Sequence, residues 1–267
     1  MILMELFKSL IMKQEDPFGM DHIIQINCGQ YPDLNLKEIV KHDFPAYKYD
    51  PVYYPKTQAT IHHTASGAGV SGDIEWWKNM QNRVSTSLIL DRDGILHQLY
   101  WTRYWGYHLG VEGWVFKQYK AGKVSHLSLN QKSVAVEIDS WGPLLEKANK
   151  WYPIRLNKIT NKYEADTRAV PINKENIQFY SNGFREFEAY EAYTDSEIFK
   201  LMSVLIYLNN QYKIPLDYHE DMWDVSQRAL NGEPGIWSHV SYVPYKFDCH
   251  PQPNFVEHLQ KIHKCVA

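Results

Sequence analysis

The chain has 267 residues, of which 44% are hydrophobic and 22% charged, so it can build a packed core and is not an intrinsically disordered chain. Its 28 basic and 31 acidic residues give a net charge of -3, which excludes a general polyanion binder, because nucleic-acid affinity depends on clustered Lys and Arg. Apolar runs fall short of the roughly 20 residues that span a bilayer. We therefore expect no nucleic-acid partner and no membrane span.

The N-terminus is apolar, but Glu5 and Lys8 interrupt it and no small-residue cleavage site follows, so it does not resemble a signal peptide. The three cysteines, Cys28, Cys249 and Cys265, are an odd number without disulfide-framework spacing, which is typical of a chain that folds in a reducing compartment. We therefore expect that the fold needs no disulfide. We expect a cytoplasmic protein, and a monomer.

The first predicted element follows a long N-terminal segment. Residues 1–56 carry mixed signals and end in a Pro/Tyr-rich stretch, so we interpret them as an N-terminal extension. The run Ala59–His63 predicts a short buried strand, because apolar and β-branched residues lead directly into the loop signal Thr64–Gly67. This strand ends at two adjacent histidines. Ser71 can then cap a helix that reaches about Asn82.

The next segment predicts a hairpin and a third long strand. Thr86–Asp91 and Ile95–Tyr100 are strand-like runs around the Gly-containing turn Arg92–Gly94. The strand Ser133–Ile138 follows, and its period of two places Glu137 on the face opposite its apolar side chains.

Residues 143–193 show no clear period, and we interpret them as an insertion that is compatible with a small β excursion. Thr194–Glu197 is a capping-box pattern, and the apolar residues after it have helical spacing up to Pro215, which predicts a long helix. A loop from Leu216 to Pro253 and a short helix from Phe255 to His263 complete the chain. Loops of this length are usually functional.

Three places hold metal-ligand side chains at turn or strand-end positions: His62 with His63, then His239, then Lys246–His250. A catalytic zinc needs three protein ligands. The chain has twelve histidines, however, and most histidines in proteins are ordinary surface or capped core residues. The residues alone therefore leave open whether a metal binds here.

Five short blocks occur in an order that resembles one protein family. They are Ile61–Ala65, Asp91–Leu99, Tyr107–Gly110, Ser133–Glu137, and Ser238–His239 through Lys246–Asp248. This order resembles the type 2 N-acetylmuramoyl-L-alanine amidases, the family of phage lysozyme-like amidases, recycling amidases and peptidoglycan recognition proteins.

The resemblance covers about residues 57–264, less the insertion. It implies an α/β fold with a central mixed β-sheet flanked by helices and a zinc groove at one edge. It also implies an amidase catalytic domain over residues 57–267, with an insertion at about 143–193, after the extension 1–56.

The resemblance implies a Zn²⁺ cofactor held by His62, His239 and Asp248. Cys249 is the alternative third ligand, because a thiolate also binds zinc, but in the family this ligand falls two residues after the lysine, here Lys246. Two imidazoles and one carboxylate leave the fourth position of a tetrahedral zinc open for water.

Three further residues receive roles from the resemblance. Glu137 resembles the carboxylate that takes a proton from the attacking water and passes it to the leaving amine, and Lys246 could donate to the oxyanion. The alternatives are a solvated strand-face carboxylate and a surface lysine. His108 resembles a substrate-contacting histidine, but Tyr107 and Leu109 replace the usual tryptophan and alanine, so a structural role for His108 stays open.

The function implied is hydrolysis of the amide between the lactyl group of N-acetylmuramic acid and L-alanine, in peptidoglycan or soluble muropeptides. A phage endolysin, which acts on the cell wall after release from the cytoplasm, is favoured over a recycling enzyme. The alternatives are a non-catalytic peptidoglycan-binding module and a related zinc hydrolase acting on another amide. The retained ligand set His62, His239 and Asp248 weighs against the binding module.

Overall fold

The computed structural model describes residues 23–67 and 69–265. The predictions made for the N-terminal apolar segment, including Glu5 and Lys8, lie outside the described residues. The described chain begins with two short strands, β1 (Ile23–Ile24) and β2 (Leu34–Asn35), which pair antiparallel with each other. Two larger sheets follow.

The main sheet contains the strands β3 (Val40–Lys41), β4 (Gln58–His63), β5 (Leu88–Leu90), β6 (Leu96–Gln98), β7 (Ser133–Ile138) and β13 (Gly235–Ser238). Its strand order is β13-β4-β7-β5-β6-β3. The β5–β6 pair is antiparallel and the other pairs are parallel, so the sheet is mixed, as predicted.

The register of the parallel strands brings distant residues together. His62 pairs with Glu137 across β4 and β7, and Ile61 pairs with Ser238 across β4 and β13, so His239 leaves the sheet beside His62. Parallel strands present their carboxyl ends at the same edge of a sheet. Residues near 62, 137 and 239 therefore meet at one edge.

Helices cover both faces of this sheet. The helix α1 (Ser71–Asn79) packs Ile74 and Trp77 against Ile89 on one face. The helix α4 (Asp195–Tyr212) buries its apolar side on the other face, in one cluster with Leu88, Leu90 and β7. Because Ile89 is the ladder partner of Glu137, the Glu137 side chain lies on the α1 face.

The remaining helices are short. They are α2 (Gly113–Gln118), α3 (His126–Lys132), α5 (Gln227–Leu230) and α6 (Pro253–Lys261), with 3₁₀-helices at Ala46–Lys48, Lys174–Asn176, Glu220–Trp223, His239–Ser241 and Ile262–Cys265. Within the described ranges, no helix combines the length and apolar composition needed to cross a membrane.

The second sheet is formed by β8 (Pro143–Lys147), β9 (Lys150–Asn157), β10 (Lys162–Ala165), β11 (Ile177–Phe184) and β12 (Phe187–Glu191), all paired antiparallel in the order β10-β9-β8-β12-β11. Many of its side chains are partly exposed, which explains why no alternation is readable in the sequence over 143–193. The division of the chain into extension, catalytic domain and insertion stays a prediction.

The capping box at the start of α4 is confirmed. Thr194 Oγ1 accepts from Glu197 N at 3.1 Å, and the Glu197 carboxylate accepts from Thr194 N at 2.7 Å. The predicted cap at Ser71 is wrong, because Val70 is the N-cap of α1 and provides no side-chain cap, and the helix ends at Asn79 instead of Asn82.

The prediction of a structureless loop from Leu216 to Pro253 is also wrong. This segment contains β13, α5 and two 3₁₀-helices. All four residues of β13 are buried beside β4, so the strand lacks the alternation that marks a half-exposed strand.

The expectation of a fold without a disulfide is wrong, because Cys28 and Cys265 form one. Their sequence separation of 237 residues gives no spacing signal, since the pairing arises only where the two ends of the chain meet. Cys249 is free and buried.

We expect the free energy of unfolding of the Cys28→Ser variant to be about 2–5 kcal/mol lower than that of the wild type. The reason is that the disulfide closes a very long loop and so restricts the unfolded chain. Thermal unfolding with and without dithiothreitol measures this effect. The reductant should lower the Tm of the wild type and leave that of the variant unchanged. A wild-type Tm that does not respond to reductant would contradict the prediction.

An ion cluster ties the two sheets together. Arg92, in the hairpin turn, donates to Glu191 Oε2 at 2.7 Å, at the end of β12, and its Nη1 lies 3.8 Å from Asp139 Oδ2, just after β7. Burial raises the pKa of both carboxyl groups, and Arg92 counteracts this rise. Among the described residues, Arg92 is the cation that pairs with both acids.

We expect the Arg92→Met variant to lose on the order of 3 kcal/mol of unfolding free energy at neutral pH, because two nearly buried carboxylates are left without their cation. Their folded-state pKa values, already raised, rise further, so the destabilisation is present above the unfolded pKa values and is lost as the pH falls toward them. Urea unfolding at about pH 7 and about pH 5 measures it. The control is Arg168→Met, which removes a 76% exposed side chain that pairs with Asp166 and should change little. An equal loss at both pH values would refute this explanation.

Candidate functional site

Two imidazoles and one carboxylate converge at the edge of the main sheet. The Nδ1 atom of His62 lies 3.0 Å from His239 Nδ1 and 3.2 Å from Asp248 Oδ2, and His239 Nδ1 lies 2.8 Å from the same Asp248 oxygen. All three side chains are buried, and their ligand atoms lie within 4.8 Å of one another. This is a donor set that suits zinc.

Local structure fixes each of the three residues. His62 is the next-to-last residue of strand β4, and His239 is the first residue of the 3₁₀-helix directly after β13. Asp248 lies in the loop before α6, where its carbonyl accepts from Val240 N at 3.1 Å. That backbone contact holds the loop of Asp248 against the turn of His239.

The second nitrogen of each imidazole is also held. His239 Nε2 donates to the Leu109 carbonyl at 2.8 Å, and His62 Nε2 lies 3.0 Å from His108 Nδ1. The side-chain oxygen of Asn130 accepts from the backbone N–H groups of both His108 and Leu109, at 2.9 and 3.1 Å. Contacts of this kind orient the rings and leave Nδ1 available for a metal.

The protonation states of His62 and Asp248 favour the binding of a metal cation. Burial, with a further contribution from His239, lowers the pKa of His62 to about 4, although Asp248 opposes the shift. Burial also disfavours ionised Asp248, but His239 and His62 outweigh it and hold the pKa of this carboxyl well below its usual range. At neutral pH the site therefore combines a neutral His62 imidazole with an ionised carboxylate, the forms that bind metals.

The site opens into a cleft of about 670 Å³ whose lining includes the three other residues singled out in the sequence: Glu137, Lys246 and His108. Glu137 is 6% exposed, so it is not a solvated strand-face carboxylate, and its Oε2 makes no hydrogen bond with the described residues. Burial above all, and then Asp248, raise the pKa of Glu137 well above its ordinary value. Lys246 is half-buried.

Cys249, the alternative third zinc ligand, is not part of this group. Its buried thiol contacts the Tyr193 hydroxyl, which also pairs with His63 Nδ1 at 2.9 Å. The structure therefore places Asp248, and not Cys249, against the imidazoles of His62 and His239. His63 faces away from this group, as the alternation of a strand requires.

Several residues of this site were not predicted from the sequence. Asn130 gives no signal in a single sequence, because a polar residue in a short helix has many uses. Asp73 and Trp76 lie three residues apart on α1, so helical spacing could have placed them on one face, and both line the cleft. Tyr163 lines it from the second sheet, in the stretch without a readable period.

No protein-family model matches this chain, and a comparison with curated protein sequences finds no match. Among solved structures, PlyL is similar at 15% identity and a TM-score of 0.45, over 84% of this chain and 97% of that one. AmpD, as a selenomethionine derivative, is similar at 14% and 0.44, over 86% and 95%. The N-acetylmuramoyl-L-alanine amidase LysC from Clostridium intestinale URNW is similar at 11% and 0.42, over 86% and 98%.

These TM-scores lie below 0.5, so the residues of the site, and not this likeness, support the function proposed below. The mixed sheet flanked by helices has the architecture that the motif resemblance implies. In the order of its motifs, the chain resembles the type 2 N-acetylmuramoyl-L-alanine amidases.

Proposed function

We propose that this protein is a zinc-dependent N-acetylmuramoyl-L-alanine amidase, which hydrolyses the amide bond between the lactyl group of N-acetylmuramic acid and L-alanine. The observation that carries the proposal is the convergence of His62 Nδ1, His239 Nδ1 and Asp248 Oδ2 in one cleft with the buried carboxyl of Glu137. The order of the motifs supports the substrate class. All of these residues lie within 57–267, which we take as the catalytic domain.

His62, His239 and Asp248 would hold the zinc ion. When bound, zinc acts as a Lewis acid on the amide carbonyl and lowers the pKa of water toward about 7. The buried surroundings of the three ligands exclude competing solvent and strengthen their attraction for a cation.

Glu137 takes a proton from the attacking water and delivers it to the amine nitrogen of L-alanine as that amine leaves. Its Oε2 atom accepts no hydrogen bond from the described residues and is therefore free to accept one from water. Burial raises the pKa of Glu137 well above its ordinary value, which makes its carboxylate a stronger proton acceptor than an exposed glutamate. Lys246, on the loop that carries Asp248, donates to the oxygen that becomes negative during attack.

The contact of His108 with His62 makes His108 a hydrogen-bond donor toward the cleft. If His62 offers Nδ1 to the metal, its Nε2 carries the proton and donates to His108 Nδ1, which leaves the proton of His108 on Nε2. This Nε2 is buried and makes no hydrogen bond with the described residues, while the ring lines the cleft. His108 would thus donate to a polar oxygen of the substrate.

The biological setting we favour is a phage endolysin that acts on cell-wall peptidoglycan. Digestion of purified peptidoglycan, with and without a zinc chelator, followed by end-group analysis, tests the proposal. We expect new N-terminal L-alanine that disappears with chelator and returns with added zinc, without new reducing sugars. A zinc-replete protein that binds the wall but releases no amino terminus would instead indicate a non-catalytic binding module.

A further inference from the structure

Beyond the amide-cleaving residues, we propose that Tyr163 of β10 and Trp76 of α1 form a saccharide subsite of the cleft, which binds a β-1,4-linked N-acetylhexosamine chain. The second sheet would then select the glycan part of the substrate. This inference rests on the proposed function, because it assigns the sugar side of the same substrate.

Three aromatic rings from separate elements stand half-exposed around one cleft. Trp76 is 54% exposed, Tyr163 39% and Tyr245 55%, and all three line the cleft that contains the candidate metal site. A cluster of large exposed rings in a concave site is typical of a ligand-binding surface. Tyr245 already uses its hydroxyl, which donates to Glu112 at 3.0 Å, so Trp76 and Tyr163 are the stronger candidates.

Aromatic contacts fix the Tyr163 ring relative to the loop that carries Lys246 and Asp248. It packs edge-on against Phe187, at 5.6 Å between ring centroids, and against Phe247, at 6.0 Å. Phe247 lies between Lys246 and Asp248 and stacks on His63 at 6.0 Å. The ring therefore needs little ordering when a ligand binds, which favours affinity.

Polar groups stand next to the exposed rings. Asp73 precedes Trp76 by one turn of α1 and accepts from Ser66 Oγ at 2.9 Å, and both residues line the cleft. A pyranose ring has an apolar face of C–H bonds and a rim of hydroxyl and acetamido groups. The combination of flat aromatic side chains with adjacent acceptors and hydroxyls matches both parts.

The charge of the cleft favours the saccharide over the stem peptide at this position. Among the charged lining residues, Asp248 is assigned to the metal, Glu137 to proton transfer and Lys246 to the oxyanion. Asp73, one turn from Trp76 on α1, is therefore the charge that stands beside this position. Stem peptides carry free carboxylates, which Asp73 would repel. A neutral N-acetylated sugar has no such penalty.

The probe for this subsite is chitotetraose, the tetramer of β-1,4-linked N-acetylglucosamine, titrated into the full-length protein and followed by calorimetry. Tyr163→Ala and Trp76→Ala should each raise the Kd at least about tenfold, whereas Tyr163→Phe, which keeps the ring, should bind as the wild type does. Phe179→Ala is the matched control, because Phe179 is a 41% exposed aromatic of the same sheet that is not among the cleft residues. Thermal melts verify that each variant is folded.

The same proteins are assayed for release of N-terminal L-alanine, so that the two proposals fail separately. If the wild type cleaves the amide but does not bind chitotetraose, or if Tyr163→Ala binds it as tightly as the wild type, the subsite is refuted and the amidase stands. If chitotetraose binds in the expected pattern but no amide is cleaved, the amidase is refuted and the saccharide subsite stands.

Discussion

The His62→Ala variant is expected to lose its zinc and to hydrolyse peptidoglycan at least about 10³-fold more slowly than the wild type. Lewis-acid stabilisation is worth several kcal/mol, and about 4 kcal/mol corresponds to this factor. The loss should be this large because His62 contacts both other ligands and also holds His108. Metal content by mass spectrometry and the initial rate of L-alanine release measure the two effects.

His263→Ala is the control, because it removes an exposed histidine from the end of the chain. This variant should keep both zinc and activity. A His62→Ala protein that is folded, binds no zinc and still cleaves the amide at the wild-type rate would exclude His62 from the reaction. A variant that keeps its zinc would exclude His62 as a ligand.

The Glu137→Gln variant is expected to keep its zinc and to lose about 10²- to 10⁴-fold in kcat, the usual contribution of a positioned general acid–base. Glutamine has the same shape but cannot take up the proton of the attacking water. KM should change little, since binding groups elsewhere in the cleft remain. Steady-state kinetics on a soluble muropeptide separate the two constants.

The stability of Glu137→Gln provides a second, independent result. The buried Glu137 carboxyl leaves Oε2 without a hydrogen bond among the described residues, and burying a charge without a partner is costly. In metal-free protein at neutral pH the variant should therefore be at least as stable as the wild type. Glu188→Gln, an exposed position on β12, is the control and should alter neither activity nor stability. A kcat within a factor of about two of the wild type would remove Glu137 from the proton transfer.

Much of the main sheet was predictable, because its strands carry strong local signals. The runs over β4 and β7 are rich in β-branched and apolar residues, and the structure confirms both strands. The helix α4 was predictable from the capping box at Thr194 and the apolar spacing that follows. Local patterns do not contain the register, so the pairing of His62 with Glu137 required the structure.

The second sheet and the outer contacts of the site were not predictable. Strands that are partly exposed on both faces lose their alternation, so Tyr163 had no reason to be singled out. Asn130 acts through tertiary contacts with the backbone of His108 and Leu109, which leave no mark in a single chain. The disulfide between Cys28 and Cys265 likewise depends on where distant segments meet.

Two residues of the cleft break the rule that buried polar atoms are hydrogen-bonded. Buried Glu137 and His108 each leave a polar atom without a hydrogen bond among the described residues. Such groups are expensive in a core and are expected where a ligand or a reaction uses them. The same unpartnered atoms that weaken the fold are those to which we assign proton transfer and substrate contact.

The most direct test of the amidase is to hydrolyse N-acetylmuramoyl-L-alanyl-D-isoglutamine in oxygen-18-enriched water and to weigh both products by mass spectrometry. We predict one heavy oxygen in the lactyl carboxylate of N-acetylmuramic acid and an unlabelled dipeptide with a free L-alanine amine, which identifies cleavage of this amide by water. Intact substrate after incubation with zinc-replete, folded protein, or cleavage at another bond, would contradict the proposed function.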